Sequence, residues 1–174
     1  MTHPFPAKPK LITKTSPLDL AWRAHDAAAA SIGKADTKAG FVATLDTAVL
    51  AGVLAIADKS SSPKAFQVLT GLGAGCLVLA VLFAVTVVLP ILRVRQTRRH
   101  AAGNWLYFGA VRHHSATELA DRLTGEDPLR GVCAQTVTLA RLAWLKHRLL
   151  QASLLATVAG IALFLTALIA GGTR

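Results

Sequence analysis

Residues 65–92 read AFQVLTGLGAGCLVLAVLFAVTVVLPIL, twenty-eight positions without a charge. A helix rises about 1.5 Å per residue, so this stretch reaches about 40 Å, more than the roughly 30 Å of a bilayer's hydrocarbon core. Residues 149–173, LLQASLLATVAGIALFLTALIAGGT, form a second uncharged run, of twenty-five. Residues 39–57, AGFVATLDTAVLAGVLAIA, form a third, of nineteen, with Asp46 as its one charge. The three runs predict three transmembrane helices. The whole chain is 53% hydrophobic and only 16% charged, with a mean hydropathy of +0.48. Soluble domains are nearer a quarter charged. That balance excludes an ordinary soluble enzyme around one core, and equally a disordered or collagen-like chain.

Charge between the runs orients them. The net charge is +10, from 19 Lys+Arg against 9 Asp+Glu. Lys and Arg number six in residues 1–38, two in 58–64, ten in 93–148 and one at 174. Basic loops stay on the cytoplasmic side, so the N-terminal region and the long insert are expected inside, and the short loop and C-terminus outside. The reading is an all-α integral membrane protein: three transmembrane helices with a cytoplasmic helical hairpin between the second and third.

Residues 1–15, with Pro4, Pro6 and Pro9 and no apolar signal core, read as a mobile tail. Ser16-Pro17 is a helix start, a capping hydroxyl before a proline. Residues 16–38 then read as a cytoplasmic helix leading into the membrane. The insert 93–148 reads as helical, broken at Gly125-Glu126-Asp127-Pro128, where Asp127 can cap the next helix. Ala101, Trp105, Phe108, Ala116, Leu119 and Leu123 share one face, and Leu129, Val132, Cys133, Val137, Ala140 and Trp144 another. Two such stripes predict an antiparallel pair.

Several residue groups are candidates for function. Asp46, in a span with Thr44 and Thr47, suggests an ion or proton site, or a polar lock between helices. A charged Asp at mid-bilayer costs about 3 kcal/mol, which calls for a partner or for neutralisation. Gly71 and Gly75, and likewise Ala152, Ala156 and Gly160, have the small-xxx-small spacing of close helix packing, within a chain or between copies. No strand precedes GLGAG, so a phosphate loop is not supported. His114 and Glu118 share a helical face but lack further ligands for a metal. No Ser/His/Asp or Cys/His signature suggests catalysis, and Cys76 and Cys133 make no disulfide framework. Arg93, Arg95, Arg98 and Arg99 follow the second span as a lipid-facing anchor would. Arg130, Arg141 and Arg148 share one helix face, and Arg112 lies near Trp105, Tyr107 and Phe108. Arginines beside aromatics can hold a phosphate and stack a base.

ADTKAG at 35–40 before an apolar span, WLYFGAV at 105–111, LARLAWLKHRLL at 139–150 and a final span come in an order that resembles the Pycsar transmembrane effectors of bacterial anti-phage defence. The resemblance spans residues 20 to 170. Where that pattern leads one to expect a neutral polar residue such as Asn, this chain has Asp46. The resemblance implies a multi-pass inner-membrane protein, not an enzyme. It implies binding of a cyclic pyrimidine mononucleotide made by a partner cyclase, followed by disruption of the membrane. It implies no cofactor and no nucleic-acid polymer as partner; a homo-oligomer is expected. Tyr107 and Arg112 lead as nucleotide-binding candidates, with Arg98, Arg99, Arg141 and Trp105 behind them. Two other classes remain open from the residues: a small ion-conducting or transporting subunit using Asp46, and a membrane anchor for a soluble partner.

Overall fold

The structure is a computed structural model describing residues 15–57, 64–89, 111–112, 114–125 and 127–172. All regular structure among them is helical: α1 (Pro17–Ala57), α2 (Lys64–Val88), α3 (Ala116–Gly125) and α4 (Pro128–Gly172). The local starts are those the sequence marks. Ser16 Oγ accepts from Leu18 N–H at 3.3 Å, and Asp127 Oδ1 accepts from Leu129 N–H at 3.0 Å, with proline at each first helical position. Ser115 and Glu118 form a reciprocal capping box on α3: Ser115 N–H donates to Glu118 Oε2 at 2.8 Å, and Glu118 N–H to Ser115 Oγ at 3.2 Å. α2 ends at Val88, two residues before Pro90, whose ring disfavours helix in the residue ahead of it.

α1 and α4 each run unbroken from a polar segment into an apolar one. At 41 and 45 residues they extend about 60 and 67 Å, roughly twice the bilayer core. The excess forms a stalk of two helices, residues 17–38 and 128–148, on the side of the bundle where α2 ends. α1, α2 and α4 pack on one another, and α4 touches both of the others. Asp36 meets Lys146 and Asp46 meets Thr157, so α1 and α4 are parallel, with an offset of 110 or 111 residues. Ser153 meets Ala80 and Gly160 meets Gly73, so α2 runs antiparallel to α4.

The inward positions alternate steps of three and four. On α2 they are Phe66, Thr70, Gly73, Leu77, Ala80, Ala84 and Val87. On α1, Ala21, Ala35, Ala39, Val42, Asp46 and Val53 are buried, with His25, Ala28 and Ile32 half-buried on the same seam. On α4 the seam runs through Val132, Ala143, Lys146, Leu150, Ser153, Thr157, Gly160 and Ala167. A repeat near 3.5 residues keeps each seam facing its neighbours through a left-handed supercoil. Many other large apolar residues point out: Phe41, Leu155 and Ile169 are all more than 70% exposed. Lipid is as apolar as leucine, so burial of large side chains gains little here, and small residues that let backbones approach take much of the interior.

Two expectations are corrected. The stalk half of α4 lies along α1; among the described residues α3 makes no extended contact with α4, so the antiparallel pair is not formed there. The apolar stripe read on that half is largely outward. Val132 is buried, but Cys133, Val137, Ala140 and Trp144 are exposed, and the inward positions are Gln135, Ala143 and Lys146. Three-and-four spacing starting from Val132 selects two faces, and α1 covers the one with the smaller residues. Of the first stripe, Leu119 is half-buried, Ala116 and Leu123 are exposed, and Ala101, Trp105 and Phe108 lie outside the described residues.

Candidate polar core of the membrane bundle

Asp46 is fully buried among the three helices. The hydroxyl of Thr157 stands 2.9 Å from Asp46 Oδ1 and 3.0 Å from the carbonyl oxygen of Ser153, one turn back on its own helix. Asp46 Oδ2 is buried and finds no hydrogen-bond partner among the described residues. Thr44 and Thr47 take no part: their hydroxyls donate to Gly40 O and Ala43 O on their own helix, and both residues face outward. Four residues from Thr157, Ser153 Oγ donates 2.8 Å across to Ala80 O of α2. One short run of α4 therefore ties to α1 by a carboxylate and to α2 by a backbone carbonyl.

Magnitudes decide what this arrangement is for. Interhelical hydrogen bonds in membranes are worth about 0.6 kcal/mol on average and up to about 1.7. An Asp at the centre of a span costs about 3 kcal/mol. The Thr157 bond by itself does not offset that cost, so adhesion between helices is a poor reason for Asp46. Ionisable groups inside membranes mark functional paths and sites.

About 15 Å along α1 by helical rise, at the edge of its apolar segment, Asp36 pairs with Lys146 Nζ at 2.5 Å. The lysine side chain is only 6% exposed and the aspartate 34%. This second polar tie has the same offset as the first and holds α1 and α4 in register where stalk meets membrane.

Beyond Thr157, α2 and α4 touch through glycine. A Cβ on Gly73 would come 2.9 Å from Gly160 O, and one on Gly160 would come 2.9 Å from both Gly73 O and Leu77 Cγ. Gly160 thus packs as its spacing predicts, and Ala152 and Ala156 are half-buried beside that seam. Gly71 and Gly75 pack on nothing among the described residues: a Cβ on either would meet nothing within 4 Å. The middle glycine of GLGAG is the one in contact, because the inward steps through Thr70, Gly73 and Leu77 skip its neighbours.

Of the arginine candidates, Arg112 and Arg141 stand apart from this core. Arg112 is exposed just ahead of α3, and Arg141 is exposed on the stalk half of α4 beside Arg148 and one turn from the exposed Trp144. Arg98, Arg99, Trp105 and Tyr107 lie outside the described residues. The sequence reading missed three features: Thr157 as the partner of Asp46, the Asp36–Lys146 pair, and Trp144 as an exposed aromatic. The shared offset of 110 or 111 could have flagged the first two, had the helices been known to run parallel. On α1, Trp22 packs edge-on against His25 with ring centroids 5.3 Å apart, a second half-exposed aromatic on the stalk.

Three helices long and apolar enough to span a bilayer, with a polar interior and a two-helix stalk, define a small multi-pass α-helical membrane protein. Within that class the chain has a definite place. Residues 20–171 match the family described as Pycsar effector protein domain, and the chain belongs to that family. Membership carries an effector role in Pycsar anti-phage defence, a role linked to a cyclic-nucleotide system rather than to a known catalytic family. Comparison with curated proteins and with solved structures gives no match.

Proposed function

We propose that the chain is an inner-membrane effector that binds a cyclic pyrimidine mononucleotide on its cytoplasmic side and then breaches the membrane. The observation that carries this reading is the family match over residues 20–171, which includes all three spanning helices and the stalk. The stalk lies on the side that positive-inside charge assigns to the cytoplasm. A soluble signal made by a cyclase would be met there. A cyclic mononucleotide offers one phosphate charge and one planar base. Arginine and aromatic side chains recognise these, and the candidates are Tyr107 and Arg112, then Arg98, Arg99, Arg141 and Trp105, with Trp144 added as the exposed aromatic beside Arg141. α1 and α4 continue from the stalk into the membrane without a break, so a ligand bound on the stalk acts directly on the helices that hold Asp46.

Titration calorimetry of the detergent-solubilised full chain with cyclic CMP and cyclic UMP tests the reading. Wild type is expected to bind one of them. Arg112→Ala is expected to weaken binding about ten- to a hundredfold, the roughly 1.5–3 kcal/mol of a charge-assisted contact, with membrane insertion unchanged. Binding of neither nucleotide by wild type sinks the receptor reading.

A further inference from the structure

We propose that the interior seam of the bundle is a path for small monovalent cations, with Asp46 as its central site. This rests on the effector reading: the membrane breach is then a cation leak through the protein rather than general rupture of the bilayer.

Around Asp46 the described residues present three acceptors, Oδ1, Oδ2 and the carbonyl of Ser153, and one hydroxyl proton, that of Thr157. The hydroxyl of Ser153 is already directed to Ala80 O. One hydroxyl proton cannot serve all three acceptors, so the centre has room for one further proton or cation, and its oxygens are hard donors that suit a proton or an alkali cation. Oδ2 is the unfilled position.

Both ends of the seam are closed in this structure. At the stalk end Lys146 neutralises Asp36. A lysine carries its charge on a flexible four-carbon stem and can swing its ammonium out to water. When it does, two carboxylates line the seam, Asp36 and Asp46. Among the described residues, no basic residue is buried in the apolar segments of α1, α2 and α4. That arrangement favours cations over anions. Toward the other end the Gly73–Gly160 contact closes the seam. Past it an open groove of about 300 Å³ lies between the C-terminal end of α1 and the start of α2, bordered by Leu54, Phe66, Gln67 and Thr70. Thr70 is buried, and its hydroxyl oxygen has no hydrogen-bond partner among the described residues. From the level of Lys146 to that of Thr70 is about 25 Å by helical rise, most of the hydrocarbon thickness.

The experiment uses the full chain in liposomes holding a potassium chloride gradient, a trapped pH dye and trapped calcein. Cyclic CMP or cyclic UMP is added, and binding is followed separately by calorimetry. Expected is a potassium or proton flux with a cation-selective reversal potential and with calcein retained; the pH dye separates protons from potassium. Asp46→Asn should lower the flux at least tenfold with nucleotide binding unchanged, and Asp46→Glu should keep it. Lys146→Gln should raise the flux without nucleotide. A leak that passes chloride or calcein as readily as potassium overturns the proposal, and so does wild-type flux in Asp46→Asn. Should Asp46→Asn not insert, Thr157→Val serves instead: a severalfold loss of flux supports the path, and wild-type flux overturns it. If wild type binds nucleotide without cation flux, the path falls and the receptor reading stands. If it binds none yet carries an Asp46-dependent cation flux, the receptor reading falls and the path stands. If it does neither, both fall.

Discussion

The pair Gly73 and Gly160 is where a single added methyl group should be felt most. Each Cα faces the other's carbonyl so closely that a Cβ would sit 2.9 Å from a backbone oxygen, and backbone yields less than a side-chain tip. Gly73→Ala is expected to separate α2 from α4 and cost about 1–3 kcal/mol, measured by thermal unfolding in detergent. Gly71→Ala and Gly75→Ala face open space in the chain and should stay within about 0.5 kcal/mol of wild type. Equal losses at all three positions would show that Gly71 and Gly75 pack between copies. Asp36 and Lys146 make a different kind of contact. Removing one partner leaves a charge in a mostly enclosed place, whereas removing both leaves none. Lys146→Met should therefore destabilise more than the double change Asp36→Asn with Lys146→Met; the reverse order would mean that the two ends already face water.

At the scale of elements, the long pairing of α1 with α4 organises the rest. The offset set by Asp36–Lys146 and Asp46–Thr157, carried down the stalk, brings Ala21 level with Val132, and both are buried. With Cys76 and Cys133 replaced by alanine, cysteines at positions 21 and 132 should cross-link readily within one chain, and cysteines at 21 and 143, about 16 Å further along α4, should not. Peptide mass mapping reads the outcome, and cross-linking at 143 instead would break the proposed register. The stalk helix of α4 begins at a cap the sequence announces. Asp127→Ala removes the acceptor for Leu129 N–H and should cost about 1 kcal/mol of helix stability, seen as fraying by hydrogen exchange in the first turn.

For the whole molecule, orientation decides where a signal can arrive. The count of six, two, ten and one basic residues across successive regions predicts that the stalk lies inside the cell. A cysteine introduced at Ser61, in an otherwise cysteine-free chain, is expected to react with an impermeant maleimide added outside spheroplasts. Labelling only after the membrane is opened would invert the molecule and move the nucleotide-facing side with it. Three spans with both long helices entering from the stalk side also give the bundle its asymmetry. Two continuous levers extend past the membrane on one face, and a short connection joins α1 to α2 on the other.

Composition and run length by themselves determined the class of protein. Uncharged stretches of twenty-five and twenty-eight residues have no soluble helical home, and they predict spans whatever their neighbours are. The caps at Ser16 and Asp127 were equally legible, because a cap is a contact between residues two or three apart. The order of short motifs pointed to the family that the match over residues 20–171 establishes. The interior was not legible, for a physical reason. In water an apolar stripe marks the buried face; in these spans many large apolar side chains face out, and the buried seam mixes Ala, Gly, Ser, Thr and Asp46 with a few larger residues such as Leu77 and Leu150. On the stalk, Val137 and Trp144, read as inward from their apolar spacing, are exposed, while Gln135, Ala143 and Lys146 are buried, because the face that packs is set by the neighbouring helix and not by the stripe alone. Choosing Gly73 over Gly71 and Gly75, and giving Asp46 its partner Thr157 across 111 residues, required the relative rotation and register of three helices. Those are set by how closely backbones fit side by side, a property of pairs of helices that no single stretch of sequence contains.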